Sequence, residues 1–243
     1  MAAQERIGFD RELRLEWLDA AAAQAAKSTE TEVARRWLDG YLTDSLGGKG
    51  TSGHRGKTIT VLRSIWLAPP DNCVHLRDRA LTLLHDAQPG ERLAAHWGLV
   101  LAVYPFFGDV TDTVGRLLAL QGDVQRIAVV RRMYEGWGER PAVSRATRAA
   151  WYSLIWWGVL APSERRGRYR AQPKRVSISR PLVEFLIEAA IVWSQSRPLV
   201  LSSIPSLPCL FPFDMSDAAV TARKSHHVRV SREGIDLEVV RTK

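Results

Sequence analysis

Apolar side chains recur at spacings of three and four residues along most of the chain, which predicts amphipathic helices. The first 46 residues hold two such stripes. These are Leu13, Trp17, Leu18 and Ala21, then Val33, Trp37, Leu38, Tyr41 and Leu42. Thr29 is placed to cap the second helix, because Glu32 three residues later completes a capping box.

The middle of the chain continues the helical pattern. Residues 58–67 predict a helix or a short strand, and further helices are predicted over residues 75–87, 90–107, 109–122, 124–138 and 140–158. The segment 90–107 is apolar on almost every side, as a central buried helix would be. Asp109 is the predicted N-cap of the next helix, and Gly122 marks its predicted end.

Two of these helices have a predicted inner face. In the helix over residues 124–138, the apolar residues in phase are Ile127, Val130 and Tyr134. In the helix over residues 140–158, the predicted buried stripe is Val143, Thr147, Ala150, Trp151, Leu154 and Trp157. Ser144, Arg145 and Arg148 then lie on the opposite, outward face of that helix.

The C-terminal part of the chain changes its pattern. Pro181 opens a predicted helix over residues 181–195. Residues 227–242 alternate apolar and polar side chains on either side of Arg232-Glu233-Gly234, which predicts a β-hairpin. The chain is therefore predicted to be mainly α, with an N-terminal helical bundle and a small C-terminal β-hairpin.

Positive charge is concentrated in one part of the sequence. The 243 residues carry a formal net charge of +8. Residues 139–180 hold ten Arg or Lys and two Glu, so this segment accounts for the whole excess. A local basic block of this kind favours a polyanionic partner such as nucleic acid.

The segment over residues 109–180 resembles a winged helix-turn-helix domain. "SLIWWGVL" (residues 153–160) is similar to the way that this family closes its recognition helix, with an aliphatic turn, a glycine and two apolar residues. "RRGRYRAQPKRVSIS" (residues 165–179) resembles the basic wing, with Gly167 near its start and Val176 and Ile178 in the returning strand. The chain then divides into a helical domain (1–108), a winged-helix-like domain (109–180) and an extension (181–243).

This resemblance implies contact with double-stranded DNA. A helix fits the major groove, while a neighbouring basic hairpin reaches phosphates. The candidates for groove contact are Ser144, Arg145 and Arg148. The candidates for phosphate contact are Arg165, Arg166, Arg168, Arg170, Lys174 and Arg175.

A glycine-rich basic loop over residues 45–58 comes close to a phosphate-binding P-loop. Gly56-Lys57-Thr58 matches the end of that motif, but Thr51 stands where the motif requires its first glycine. The segment before it also looks helical, whereas a P-loop follows a strand. The loop is therefore interpreted as a flexible connector, with a second interpretation in which Arg55 and Lys57 contact phosphate.

The chain also resembles the BrxA-type accessory proteins of BREX phage-defence systems. The segments that carry this likeness are "GHRGKTITVLRSIW" (residues 53–66) and "LAAHWGLVLAVYPFFGDV" (residues 93–110). The family is implied to bind DNA and to work beside larger partner proteins. No functional residue is transferred from it.

Other kinds of chemistry find little support in the sequence. Cys73 and Cys209 have no metal-ligand spacing, His96 is expected to be a core histidine, and no Ser/His/Asp pattern stands out. We expect no enzymatic activity, no metal and no cofactor. No segment reaches the roughly 20 apolar residues of a membrane span, and the charged N-terminus does not look like a signal peptide, so a cytoplasmic location is expected.

Three functions remain as hypotheses. The first is a non-enzymatic DNA-binding protein, working as an accessory or regulatory component of a bacterial complex. The second is an adaptor whose basic wing docks an acidic partner protein. The third is a nucleotide hydrolase that uses the loop over residues 50–58, which requires a strand before the loop.

Overall fold

The computed structural model describes residues 7–27, 30–47, 53–195, 198–233 and 237–243. Over these residues the chain is mainly α-helical with two small antiparallel sheets, which confirms the predicted mainly α class with a small C-terminal sheet. The predicted cap at Thr29, residues 48–52 of the glycine-rich loop and residues 234–236 of the C-terminal hairpin lie outside the described residues.

The helices before residue 104 end with one that is buried along almost its whole length. They are α1 (Leu15–Ala26), α2 (Thr31–Tyr41), α3 (Thr43–Leu46), α4 (His54–Leu62), α5 (Val74–Asp86) and α6 (Arg92–Val103). Residues Arg63–Leu67 extend α4 as a π-helical turn. Every residue from Leu93 to Ala102 of α6 is buried, as its sequence predicts. A methyl group added at Gly98 would lie 2.5 Å from the ring of Phe185, so the helix that carries Phe185 packs closely against α6.

The two N-terminal stripes have different outcomes. The first is confirmed, since Leu13, Trp17, Leu18 and Ala21 are all buried. In the second, Leu38 and Leu42 are buried, but Val33, Trp37 and Tyr41 are about 40% exposed. Relative to the prediction, α2 is rotated about its axis. Its inner face is formed by Ala34 and Leu38, which lie one turn apart.

The single helix predicted over residues 90–107 is wrong. The helix stops at Tyr104 (φ −124°, ψ 87°), and α7 (Pro105–Gln121) begins with Pro105 in its first turn. Proline has no N–H to donate within a helix, but it is well suited to a first turn. Asp109 is consequently inside α7 rather than at its N-cap, and its carboxylate accepts hydrogen bonds from the indole N–H groups of Trp137 (2.8 Å) and Trp193 (3.1 Å).

Within the described residues, we find no individual helix with the length and apolar character that crossing a membrane requires. In the same described ranges, one pair of helices, α6 and α7, meets those criteria when taken together, and this pair is bent by 118°.

The remaining elements follow α7. They are α8 (Arg126–Trp137), α9 (Pro141–Trp156), β1 (Leu160–Pro162), β2 (Tyr169–Ala171), α10 (Arg180–Trp193), β3 (Leu199–Val200), α11 (Ala218–Arg223), β4 (Val228–Glu233) and β5 (Leu237–Thr242). The C-terminal sheet has the antiparallel order β3-β5-β4, with Val230 opposite Val240. The predicted alternation of residues 227–242 thus forms β4 and β5, and β3 adds an edge that the sequence did not indicate.

Buried side chains from Phe9 to Val240 join in one hydrophobic core, which draws on all three regions predicted from the sequence. The predicted boundary at residue 109 falls inside α7. The division of the chain into three regions stays a prediction.

His96 is a core histidine, as the sequence predicts. Its ring is fully buried, and its Nε2 lies 3.0 Å from Oδ1 of Asp19 on α1. Burial lowers the pKa of His96, and the bond to Asp19 opposes this only in part. Burial also tends to raise the pKa of Asp19, but the hydrogen bonds from His96 and Arg92 outweigh that effect and leave it lowered.

This arrangement predicts that the free energy of unfolding falls as the pH drops from 7.5 to 5.5. Below about pH 6.5, His96 is protonated in the unfolded chain but stays neutral in the folded chain. The free energy of unfolding therefore falls by at most about 1.4 kcal/mol per pH unit. Urea denaturation at several pH values measures the effect. His96→Gln should flatten the profile, whereas His54→Gln, at an exposed position, should not. A His96→Gln profile as steep as that of the parent would contradict this account.

Candidate nucleic-acid interface

Residues 109–180 contain most of α7, then the two-helix unit of α8 and α9, and then the β1–β2 hairpin. α7 ends where the sequence predicts, at Gly122, whose φ of 74° is a left-handed conformation that suits glycine. Val124, between α7 and α8, then pairs with β2. Its N–H donates to the Tyr169 carbonyl (2.8 Å), and the Tyr169 N–H donates to the Val124 carbonyl (2.9 Å). The hairpin β1–β2 is thereby attached to the start of the two-helix unit.

Packing determines which side of α9 faces outward. All six residues of the predicted inner stripe are buried: Val143, Thr147, Ala150, Trp151, Leu154 and Trp157. The Trp151 ring meets the Tyr169 ring edge-on, with 5.2 Å between centroids, so α9 is packed against β2. The helix ends at Trp156, two residues before the predicted Gly158, which has a left-handed φ of 69°. These contacts orient the helix and the hairpin relative to each other.

The opposite side of α9 carries the predicted groove candidates. Arg145 and Arg148 are exposed, and Ser144 is half-buried. The Arg148 guanidinium lies 5.6 Å from the centre of the Tyr152 ring, one turn further along the helix. The Arg126 guanidinium, from the first residue of α8, lies 5.7 Å from the same ring. Two cations and an aromatic ring therefore share one surface.

Arg126 and Tyr152 were missed by sequence reasoning. Arg126 lies in the first turn of α8, which precedes the basic segment over residues 139–180. A signal was present in the spacing, because Arg145, Arg148 and Tyr152 are separated by three and four residues and so share one helix face.

The predicted returning strand of the hairpin is wrong. The strand consists of Tyr169–Ala171 and pairs with Leu160–Pro162, so it precedes Val176 and Ile178. The chain reverses early because Gly167 adopts a φ of 74° and the Ser163 N–H closes the turn on the Arg168 carbonyl (2.9 Å). Val176 instead forms an isolated parallel bridge with Phe213, and Ile178 lies outside any strand.

The candidates for phosphate contact, on the hairpin and just after it, fall into two groups. Arg168 donates through Nε to Oδ1 of Asp123 (2.5 Å) and through Nη2 to Gln121 (3.0 Å), and Asp123 is only 6% exposed. Arg165 also reaches Asp123, at 3.6 Å. Arg168 thus anchors the turn to the end of α7. The outer group is exposed to solvent and consists of Arg166, Arg170, Lys174 and Arg175.

The glycine-rich segment is more ordered than the sequence predicts in the part that the structure describes. Residues 54–58 belong to α4 and are not loop, and residues 43–46 form α3 where a P-loop would need a strand. Arg55 is 8% exposed, and its guanidinium donates to Oδ1 of Asp39 (2.8 Å) and to the Gly47 carbonyl (3.2 Å). Arg55 therefore ties α4 to α2 and faces inward. Lys57 is exposed and lines a cleft together with Arg145.

The cysteines lie in the interior. Burial raises the pKa of the Cys73 thiol to about 11 and raises that of Cys209 as well. Both side chains are thiols at neutral pH, and a thiol is a poor nucleophile. In the described parts of the chain, no group of three or more His, Cys, Asp or Glu side chains is arranged to hold a metal ion.

Comparisons with protein-family models, with curated proteins and with solved structures found no match to this chain.

Proposed function

We propose that this chain is a non-enzymatic DNA-binding protein that uses a winged helix-turn-helix. The observation that carries the proposal is the outward face of α9. Arg145, Arg148 and Tyr152 form a basic and aromatic strip there, beside Arg126 and a hairpin with exposed cations. The order of α7, the Val124 bridge, α8, α9 and the hairpin supports the same interpretation.

The proposed contacts follow from the shape and charge of duplex DNA. The major groove is wide enough to admit a helix such as α9. Arg145 and Arg148 would then reach base edges or the flanking phosphates. The outer group on the hairpin and just after it would hold phosphates, which adds affinity without reading sequence. It consists of Arg166, Arg170, Lys174 and Arg175. Arg168 is assigned to positioning, because Asp123 already holds it.

The biological setting is a proposal of the same kind. Its support is the resemblance to accessory proteins of phage-defence systems and the local concentration of charge. On this basis the protein works in the cytoplasm, on double-stranded DNA, beside larger proteins of a defence or regulatory complex.

A mobility-shift assay with purified protein and a labelled duplex of about 30 base pairs tests the proposal. Near physiological salt, a shift is expected at roughly 1–100 μM protein if the binding is non-specific, and at lower protein if it is specific. Absence of any shift down to 50 mM salt would contradict it, since low salt favours every phosphate contact.

A second function, docking of an acidic partner protein, has an observation in its favour. Leu120 and Ile127 are 80% and 70% exposed, and they flank the turn between α7 and α8 near the basic hairpin. Exposed apolar side chains next to a charged surface are found at protein interfaces. If the protein is such an adaptor, Leu120→Ser/Ile127→Ser should abolish co-purification of its partner. The mobility of duplex DNA should be the same with this variant as with the parent protein. A partner that still co-purifies with this variant would count against the adaptor.

A further inference from the structure

A cleft of about 840 Å³ separates the N-terminal helices from the start of α9. One side is formed by α4 and its π-helical extension, with Lys57, Thr60 and Ser64. The other side is formed by Trp137 at the end of α8 and by Ala142 and Arg145 at the start of α9. This volume lies within the range of roughly 300–1,000 Å³ found for pockets that bind small molecules.

The charged side chains that line the cleft favour an anion. They are Lys57, Arg145 and Asp10. Asp10 is compensated by Arg11, whose Nη1 lies 3.3 Å from Oδ2 of Asp10. Lys57 and Arg145 form no ion pair with any residue that the structure describes. Two cations from segments 88 residues apart in the sequence therefore converge on one cleft without a carboxylate partner.

The walls of the cleft are apolar and aromatic. Pro69, Pro70 and Val103 contribute aliphatic surface, and Tyr104 and Trp137 contribute aromatic rings. Trp137 is held in place, because its N–H donates to Asp109 and its ring meets Phe106 edge-on at 5.0 Å. Nucleobases removed from a duplex bind between aromatic and apolar side chains of this kind.

The position of the cleft connects it with the outward face of α9. Arg145 belongs to both, because it lines the cleft and lies one turn from Arg148 on the exposed side of the helix. A strand that follows Arg148 and Arg145 along α9 therefore arrives at the mouth of the cleft.

We propose that this cleft binds one unpaired nucleotide, with its phosphate between Lys57 and Arg145 and its base against the aromatic and proline wall. The choice of ligand rests on the proposed DNA-binding function. The nucleotide would come either from the end of a strand or from a base displaced out of the duplex, and both present the same phosphate and base to the cleft.

Isothermal titration with thymidine 5′-monophosphate tests the cleft apart from duplex binding. We expect the nucleotide to bind, and thymidine and inorganic phosphate each to bind at least about tenfold more weakly, since each lacks one half of the contacts. Lys57→Ala/Arg145→Ala should weaken binding of the nucleotide by about tenfold or more, in line with the loss of two charge-assisted contacts. Lys224→Ala/Arg229→Ala removes the same charge from exposed positions elsewhere and should have no effect.

A variant in which a larger side chain fills the cleft tests whether the base binds there, without changing any charge. Ala68 lines the cleft, and Ala68→Trp should abolish nucleotide binding while circular dichroism and the Tm show that the variant is folded. If Ala68→Trp destabilises the fold, Ser64→Phe, also at the cleft wall, serves the same purpose. Binding that survives in the folded filling variant would overturn the assignment of the base to the cleft.

Duplexes with different ends identify the source of the nucleotide and separate this inference from the proposed function. A preference for a one-nucleotide 5′ overhang over a blunt duplex indicates a strand end, and a preference for an internal bulge indicates a displaced base. Either preference should disappear in Lys57→Ala. Duplex binding with neither preference, together with no binding of the nucleotide, would overturn the inference and leave the proposed function standing. Absence of all duplex binding would instead contradict the proposed function.

Discussion

Replacing Arg145 and Arg148 by alanine is expected to weaken binding to a duplex by about 10²-fold. Each residue is exposed on the outward face of α9, and one arginine contact to a base or a phosphate is worth roughly 1–3 kcal/mol. The loss should appear mainly as faster dissociation, because the helix loses its contacts inside the groove while the hairpin still attracts the DNA. Fluorescence anisotropy with a labelled duplex measures the change.

The control for this variant is Arg229→Ala/Arg232→Ala on β4. It removes the same two charges from exposed positions on the C-terminal sheet, so any general effect of net charge is reproduced. We expect its affinity to stay within about twofold of the parent, because exposed charges far from a contact are screened at physiological salt. Equal losses in the two variants would show that α9 is not the contact surface.

Trp151→Ala is expected to destabilise the protein by about 3–5 kcal/mol, the usual cost of truncating a large buried aromatic side chain. Trp151 is 2% exposed and lies between α9 and the hairpin, with its ring against Tyr169. A loss of this size is a large part of the total stability of a typical domain, about 5–15 kcal/mol. Urea denaturation followed by far-UV circular dichroism gives the value.

Trp156→Ala is the matched control, since the same substitution is made five positions along the same helix. Trp156 is 51% exposed, and the Arg14 guanidinium lies 4.6 Å from the centre of its ring. Its loss should cost about 1 kcal/mol or less. If Trp151→Ala and Trp156→Ala were equally mild, the packing that holds the hairpin against α9 would be wrong.

Helical periodicity predicted most of the helices, because burial of one face imposes its period on the sequence. The clearest case is α9, where the stripe that contains Val143, Trp151 and Trp157 is buried throughout. Periodicity was less informative where apolar residues lie on more than one side. In α8, the spacing predicts Ile127 on the inner face, but its side chain is 70% exposed. The buried positions are Val129, Val130 and Met133.

The breaks and turns were harder to predict. The apolar run through Tyr104 gave no change of pattern at the bend between α6 and α7, and Pro105 was the only local indication. Val176 and Ile178 alternate like a strand and so predict the hairpin too far along the chain, whereas Val176 pairs with Phe213, 37 residues later. Contacts between residues so far apart along the chain cannot be predicted from the local sequence pattern.

The sequence predicts which types of residue form the candidate site, but it predicts only some of their positions in the fold. The outward face of α9 followed from helix geometry, so Arg145 and Arg148 could be named. The burial of Arg55 could not be foreseen, because it depends on Asp39, in a different helix. Likewise, the cleft shared by Lys57 and Arg145 arises only when α4 and α9 are brought together in the fold.

The central claim is that the helix and the hairpin hold DNA through its phosphates, and the salt dependence of duplex affinity tests it most directly. Each phosphate contact contributes about 0.9 to the slope of log K against log[salt]. We predict that Arg166→Ala/Arg170→Ala/Lys174→Ala makes this slope shallower by about 2–3, whereas Lys224→Ala/Arg229→Ala/Arg232→Ala leaves it unchanged. Identical slopes for the parent and the hairpin variant would contradict the account.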